Sequence, residues 1–199
     1  MSDVLVLCTA NVARSPLLAA RLQLAAQRRQ PAAAIEVASA GTDALFGTPA
    51  ARGSIEVADR WGVDLHEHRA TPISYLDLDE PALVLTMERR HSREVGSRAP
   101  AAATTTFTWP ELVTTLTDRL DPASTSELPA AADPVSARAR LEAVAALAHT
   151  HRPRRLPRKR AEVADPIHGT QAVYDAMGTR FDAEVEAVAD VLFGPLDRA

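Results

Sequence analysis

An α/β fold, a single doubly wound domain with a parallel sheet of four strands flanked by helices, is predicted by three observations. Residues 3 to 8, Asp-Val-Leu-Val-Leu-Cys, form a short unbroken apolar run of the kind found in a central strand buried on both faces. Such runs recur along the chain with helical patterns between them, and parallel neighbours need crossover connections that helices fill. The 199 residues suit one core, since domains commonly run to roughly 100–200 residues.

The first strand gives way to a turn at 9 to 15, Thr-Ala-Asn-Val-Ala-Arg-Ser, after which Pro16 suits the first turn of a helix, where a missing N–H is harmless. Leu17, Leu18, Arg21, Leu22 and Ala25 keep helical spacing to about Gln30. A second strand is expected at 34 to 39, closed by Gly41, and a helix from about 49 to 61 ends near Gly62. Ala82 to Met87 reads as the third strand, Glu88 to Arg98 as a charged helix and Thr104 to Thr108 as the fourth strand. Residues 121 to 162 change character, with several prolines, an Ala-rich helical piece at about 136 to 149 and a basic stretch from His151 to Arg160. They are expected to form a helical and irregular surface insertion within the one domain. In the last helix Val173, Met177, Phe181, Val185, Val188 and Leu192 recur every three or four residues, so one face packs on the sheet.

Composition excludes several function classes. A net charge of -4 supplies no global field for nucleic acid or an anionic membrane. No apolar stretch approaches the ~18 residues needed to span a bilayer, and the acidic Asp3 before a short apolar run begins a strand rather than a secretory leader. Cys8 is the only cysteine, so an internal disulfide and a multi-cysteine metal or redox framework are both ruled out. The expectation is a soluble, cytoplasmic protein with no nucleic-acid or membrane partner.

The informative stretch is Cys8-Thr9-Ala10-Asn11-Val12-Ala13-Arg14-Ser15, between a buried strand and the start of a helix. At the carboxyl end of a strand in an open α/β sheet, ligands bind in the crevice between loops, and the next helix offers unpaired N–H groups. A cysteine with five residues between it and an arginine closes a loop around one phosphate, with successive backbone N–H groups turned inward. The same field favours a sulfur anion as nucleophile. Arg14 supplies a planar fork matched to two phosphoryl oxygens, which lysine does not reproduce. Ser15 is placed to hydrogen-bond the sulfur, and Asn11 to tie the loop into its shape.

These residues resemble the signature of the low-molecular-weight protein tyrosine phosphatases, Cys-x5-Arg-Ser-Pro near the N-terminus with Asn at the place of Asn11. The resemblance continues through Ser39-Ala40-Gly41-Thr42, Gly62-Val63-Asp64-Leu65 with His68-Arg69-Ala70, Leu83-Val84-Leu85-Thr86-Met87 and Asp165-Pro166. It implies a four-stranded parallel sheet and a phosphomonoester hydrolase acting on a phosphorylated protein or a small aryl phosphate. By the same resemblance Cys8 forms a cysteinyl-phosphate, Arg14 holds the phosphate and Asp165 is general acid and base; no metal and no cofactor is implied. Ala10 and Ala13 stand where the family often has Gly and a second Cys, and Ile167 and His168 where many members carry aromatic residues. Val12 sits where tyrosine-type members have an apolar residue and arginine-phosphatase members have Thr. Leu45 and Phe46, after Gly41, are candidates for the opposite pocket wall, with Ile167 and His168 on the near side.

Simpler readings stand beside these. A lone cysteine is more often a buried core residue than a nucleophile, and Asp before Pro is ordinarily a turn or cap; Arg14, Asn11 and Ser15 beside Cys8 reverse the first reading, and the family resemblance reverses the second. Arg152 to Arg160 holds six cationic residues and no acid. Pro153 and Pro157 forbid a regular helix there and no aromatic residues interleave for base stacking, so it reads as a solvated loop, with protein docking as the functional alternative. His66 with His68, and His149 with His151, lack an obvious third metal ligand and read as surface histidines; Trp61 and Trp109 read as packing residues. Two other functions remain open: arsenate reduction with an external thiol, and a non-catalytic module that reads phosphate.

Overall fold

The computed structural model describes residues 2–153, 156–157 and 161–196. Four strands, β1 (Val4–Cys8), β2 (Val37–Gly41), β3 (Leu83–Thr86) and β4 (Thr106–Thr108), form one sheet in the order β2-β1-β3-β4. Every pair is parallel, with Cys8 opposite Gly41 and Leu7 opposite Thr86. The helices are α1 (Arg14–Arg29), α2 (Arg52–Arg60), α3 (Arg89–Arg98), α4 (Trp109–Asp118), α5 (Pro122–Ser126), α6 (Pro134–Thr150) and α7 (Gln171–Phe193).

The unbroken apolar run of β1 is explained by a core on each face. Val4, Val6 and Cys8 point into the larger core, with Leu17, Leu22, Leu141, Phe181 and Val188. Leu5 and Leu7 point into the smaller one, with Ile73, Val84 and Val95. Each fully buried Leu or Val contributes about 1.5–3 kcal/mol by leaving water, so the period-2 alternation of a strand is satisfied here by apolar residues on both sides. Helix α7 is further held to α1 by charge. The buried Arg21 and Arg29 pair with Asp182, Glu186 and Asp190, Arg21 Nε lying 2.7 Å from Asp182 Oδ1 and Arg29 Nε 2.9 Å from Asp190 Oδ1.

Three expectations need correction. The second strand lies at 37 to 41 rather than 34 to 39, because Ala34 adopts a left-handed backbone (φ 48°) that turns the chain before the ladder begins at Glu36. Helix α4 is an additional element; Thr108 caps it reciprocally with Glu111, and Pro110 sits in its first turn, a signal visible in the sequence as Thr-x-x-Glu. Segment 121–162, expected on the surface, is only partly there. Asp133 caps α6, and Ala137, Leu141, Val144, Ala145 and Ala148 of that helix lie in the main core. No helix among the described residues is long and apolar enough to cross a membrane.

Strand order positions the site. The chain leaves β1 toward β2 on one side and returns to β3 on the other, so the carboxyl ends of β1 and β3 flank the switch point where open α/β sheets bind ligands. Residues 9 to 13 leave β1 there, and Met87 to Arg90 leave β3 beside them.

Candidate active site

The 8–15 loop is built by its own side chains. Cys8 Sγ lies 3.0 Å from Ser15 Oγ and receives the Asn11 backbone N–H at 3.3 Å. Asn11 is fully buried and left-handed (φ 55°), a conformation that Asn tolerates better than most residues. Its amide donates to Ser15 Oγ (3.0 Å) and Ser39 Oγ (2.8 Å), and its Oδ1 accepts the Thr71 N–H at 2.9 Å. Ala10 takes no left-handed backbone, so a Cβ fits where glycine is common. The backbone N–H groups of Ala10, Val12 and Ala13 donate to no group among the described residues, leaving them for an oxyanion at the start of α1.

Gly41 makes this loop possible. A Cβ there would stand 2.4 Å from the Thr9 carbonyl oxygen and 3.0 Å from the Asn11 nitrogen, both backbone atoms that cannot move aside. The following loop is stitched to the first at three points: Thr42 N to Cys8 O (3.0 Å), Asp43 N to Thr9 O (2.9 Å) and Ala51 N to Val12 O (2.7 Å). Leu45 and Phe46, carried by this loop, are exposed, and the Phe46 ring meets that of the exposed Tyr75 at a centroid distance of 5.4 Å.

Arg14 is only 1% exposed. Its Nη1 donates to Glu88 Oε1 at 2.7 Å and to the Val163 carbonyl at 3.1 Å, and its Nη2 to Thr9 Oγ1 at 3.2 Å and to Asp165 Oδ2 at 2.6 Å. Val163 is fixed by its own N–H bond to the Met87 carbonyl (2.9 Å), so the late segment reaches the site through β3. The expected residues Cys8, Arg14, Ser15 and Asp165 are therefore brought together. Ile167 and His168 follow Asp165 on the same loop and are exposed, the Ile167 N–H bonding Asp165 Oδ1 at 3.2 Å.

Several residues here carry no signal in the sequence. Glu88, the residue before α3, is held down to about pKa 2: burial opposes ionisation, but hydrogen bonds from Arg90 and Arg14 outweigh it. Arg90 reaches Thr9 Oγ1 at 2.5 Å as well as Glu88. His68, expected at the surface, is half-buried and bonds the Asn11 carbonyl through Nε2 at 2.7 Å, so that nitrogen carries the hydrogen; burial lowers its pKa. His66 is exposed, as expected. No local pattern marks Glu88, and the segment His68-Arg69-Ala70 carries the family resemblance without indicating that His68 braces the loop, because each acts across more than 50 residues of chain.

His91 is buried, with Nε2 3.2 Å from Thr9 Oγ1. That oxygen already receives Arg14 and Arg90, so the hydroxyl donates to Nε2, leaving the hydrogen on Nδ1, which has no partner among the described residues. Burial accordingly pushes the imidazolium down to about pKa 4 from 6.5. The unfolded chain protonates His91 near pH 6.5 and the folded protein only near 4. The stability this group contributes is therefore whole above about 6.5 and is lost as pH falls through that interval. Glu88 loses its contribution only below its ordinary 4.5, toward 2. Thermal unfolding between pH 6.5 and 4.5 should show stability declining with acid, and His91→Gln should flatten that slope; an unchanged slope would reject the assignment.

The comparisons with known proteins agree with this geometry. The model of the low molecular weight phosphotyrosine protein phosphatase family matches residues 3–148. The chain belongs to that family. It is 35% identical over 107 residues to a Ralstonia nicotianae protein described as a probable low molecular weight protein-tyrosine-phosphatase, EpsP; the match covers 54% of this chain and 70% of that one. Among solved structures it resembles the low molecular weight protein tyrosine phosphatase of T. tengcongensis (TM-score 0.66, 23% identity, 96% and 99% of the two chains). It also resembles the YwlE arginine phosphatase of Geobacillus stearothermophilus (0.64, 22%, 96% and 93%). At those identities the two structures speak for the shared fold alone. Among the described residues no cluster of His, Cys, Asp or Glu has the makings of a metal site.

Proposed function

We propose that this phosphatase-family chain hydrolyses aryl phosphate monoesters, protein phosphotyrosine in particular, in two steps at Cys8. The sulfur attacks phosphorus, the bond from phosphorus to the phenolic oxygen breaks, and Asp165 gives its proton to the departing oxygen. Water then attacks the cysteinyl-phosphate, Asp165 takes the water's proton, and the S–P bond breaks to return the thiolate and free phosphate. Arg14 and the unpaired N–H groups of the loop carry the phosphoryl charge throughout. A reducing compartment, the cytoplasm, suits a thiol nucleophile with no second cysteine to protect it.

The observation that carries this reading is the convergence of the 8–15 loop with Asp165, which lies 151 residues from Arg14 in the chain. Cys8 Sγ is held by Ser15 and Asn11, and Asp165 lies 2.6 Å from Arg14, the arginine that closes the same loop. The aryl preference is supported by Val12 on the loop and by the exposed Phe46–Tyr75 pair beside it, since aromatic faces grip a ring. Arsenate reduction finds no such support, because Cys8 has no second cysteine to relay a disulfide. Incubation with para-nitrophenyl phosphate and early acid quench should yield turnover with phosphate trapped on Cys8; turnover without a phosphoenzyme would exclude the covalent route.

Asp165→Asn should lower kcat by about 10²–10⁴-fold, the loss growing with the basicity of the leaving phenol. Inorganic phosphate should bind at least as well, because the phosphate then no longer competes with a carboxylate for Arg14. A uniform loss across leaving groups would remove Asp165 from the proton-transfer role.

A further inference from the structure

Helix α3 opens with arginines at 89, 90 and 93, and they face two ways. Arg90 turns toward the 8–15 loop, as described above. Arg89 and Arg93, one helical turn apart, line a neighbouring cleft of about 790 Å³ together with Arg152, Thr108, Pro153 and Leu156. A smaller hollow of about 290 Å³ shares Arg89 and Arg93 with this cleft and Glu88 and Arg90 with the site, and is also lined by Glu162. Shared lining residues thus link cleft, hollow and site into one track.

Cations outnumber carboxylates in the larger cleft itself, whereas Glu88 and Glu162 line the hollow between it and the site. Three guanidinium groups line the cleft against one carboxylate, Glu111, whose Oε1 stands 3.9 Å from Arg152 Nε. That nitrogen is buried with no hydrogen-bond acceptor among the described residues. Arg152 otherwise lies over the Phe107 ring at 4.0 Å and donates to the Thr106 carbonyl. Arg89 donates to the Leu156 carbonyl. Neutral acceptors place these cations without cancelling them. Arg93 is exposed and makes no hydrogen bond or ion pair among the described residues.

We infer that the cleft is a docking subsite for an acidic segment of the phosphoprotein substrate, flanking the phosphorylated side chain. The inference rests on the phosphatase reading. A peptide whose phosphate lies in the 8–15 loop and whose chain follows the hollow passes Arg90, which bonds Thr9, and brings flanking carboxylates to Arg89, Arg93 and Arg152. Charge complementarity selects carboxylates, while Pro153 and Leu156 offer apolar contact to the peptide's stems. The basic run noted in the sequence enters only through Arg152; residues 154–155 and 158–160 lie outside the described residues.

Two phosphotyrosine peptides of equal length test this, one with Glu at the flanking positions and one with Ala. Wild type should favour the acidic peptide by about fivefold or more in kcat/KM, through KM, and the preference should shrink at high salt. Arg93→Glu should abolish or invert the preference while leaving para-nitrophenyl phosphate turnover unchanged. Binding of both peptides to the Cys8→Ser protein reads docking without turnover. A binding preference there with no turnover by wild type would keep the subsite and sink the phosphatase reading. Equal handling of the two peptides by wild type, or an equal loss on both in Arg93→Glu, would overturn the subsite.

Discussion

Cys8→Ser should lower aryl phosphate turnover by about 10⁴-fold or more, a loss typical of removing a nucleophile that works as one unit with its neighbours. The effect is chemical rather than structural. Serine is smaller than cysteine and keeps an acceptor for the Asn11 N–H and for Ser15, so the loop retains its hydrogen bonds. Arg14 and the unpaired N–H groups of Ala10, Val12 and Ala13 also remain, and phosphate should still bind with wild-type affinity. What is lost is the polarisable sulfur, for which an alcohol oxygen is no substitute as nucleophile. Initial rates with para-nitrophenyl phosphate, paired with phosphate inhibition or calorimetry, check both halves. Turnover within about tenfold of wild type would exclude Cys8 as the nucleophile.

Arg14→Lys should cost about 10²–10³-fold in kcat/KM, since a point charge replaces a fork that stabilises two phosphoryl oxygens at once. The substitution also reaches beyond the loop. Arg14 satisfies Glu88, Asp165, Thr9 Oγ1 and the Val163 carbonyl together, and an ammonium on a flexible stem does not hold four acceptors in those directions. Glu88 is the weak point of the arrangement, because its side chain is mostly buried and its low pKa depends on Arg90 and Arg14. Stability should fall by about 1–3 kcal/mol as Glu88 keeps Arg90 but loses its charge-assisted bond from Arg14. Adding Glu88→Gln to Arg14→Lys separates the two effects: denaturation midpoints should recover while kcat/KM stays low. Recovery of activity in the double variant would mean that Arg14 acts by folding alone.

Much of this architecture is legible in the sequence. The apolar run of β1 needs only its length and its flanks to be read, because a strand buried on both faces leaves no other pattern. The chemistry of Cys8, Asn11, Arg14 and Ser15 lies within eight consecutive residues, so the local strand–loop–helix geometry brings them together with no help from distant contacts. Helix α4 carries an equally local signal in the cap from Thr108 to Glu111.

Other features depend on contacts that no local pattern encodes. Ala137, Leu141 and Val144 read as one side of a surface helix because an Ala-rich sequence has a weak polar contrast; only packing against α7 and β3 shows that this side is core. Leu45 and Phe46 are placed near the site by their position after Gly41, but the partner of Phe46, Tyr75, comes from a segment 29 residues further along. The sequence by itself determined the parallel α/β architecture, through short-range periodicity, and marked the 8–15 loop as the candidate site, through the local motif and its family resemblance. The tertiary structure alone decided that Glu88 and Asp165 share the guanidinium of Arg14, that His68 and His91 brace the loop, and that Arg89, Arg93 and Arg152 meet in one cleft. Each of those is a side-chain encounter created by strand order, which places the ends of β1 and β3 side by side and brings the segment after α6 back across them.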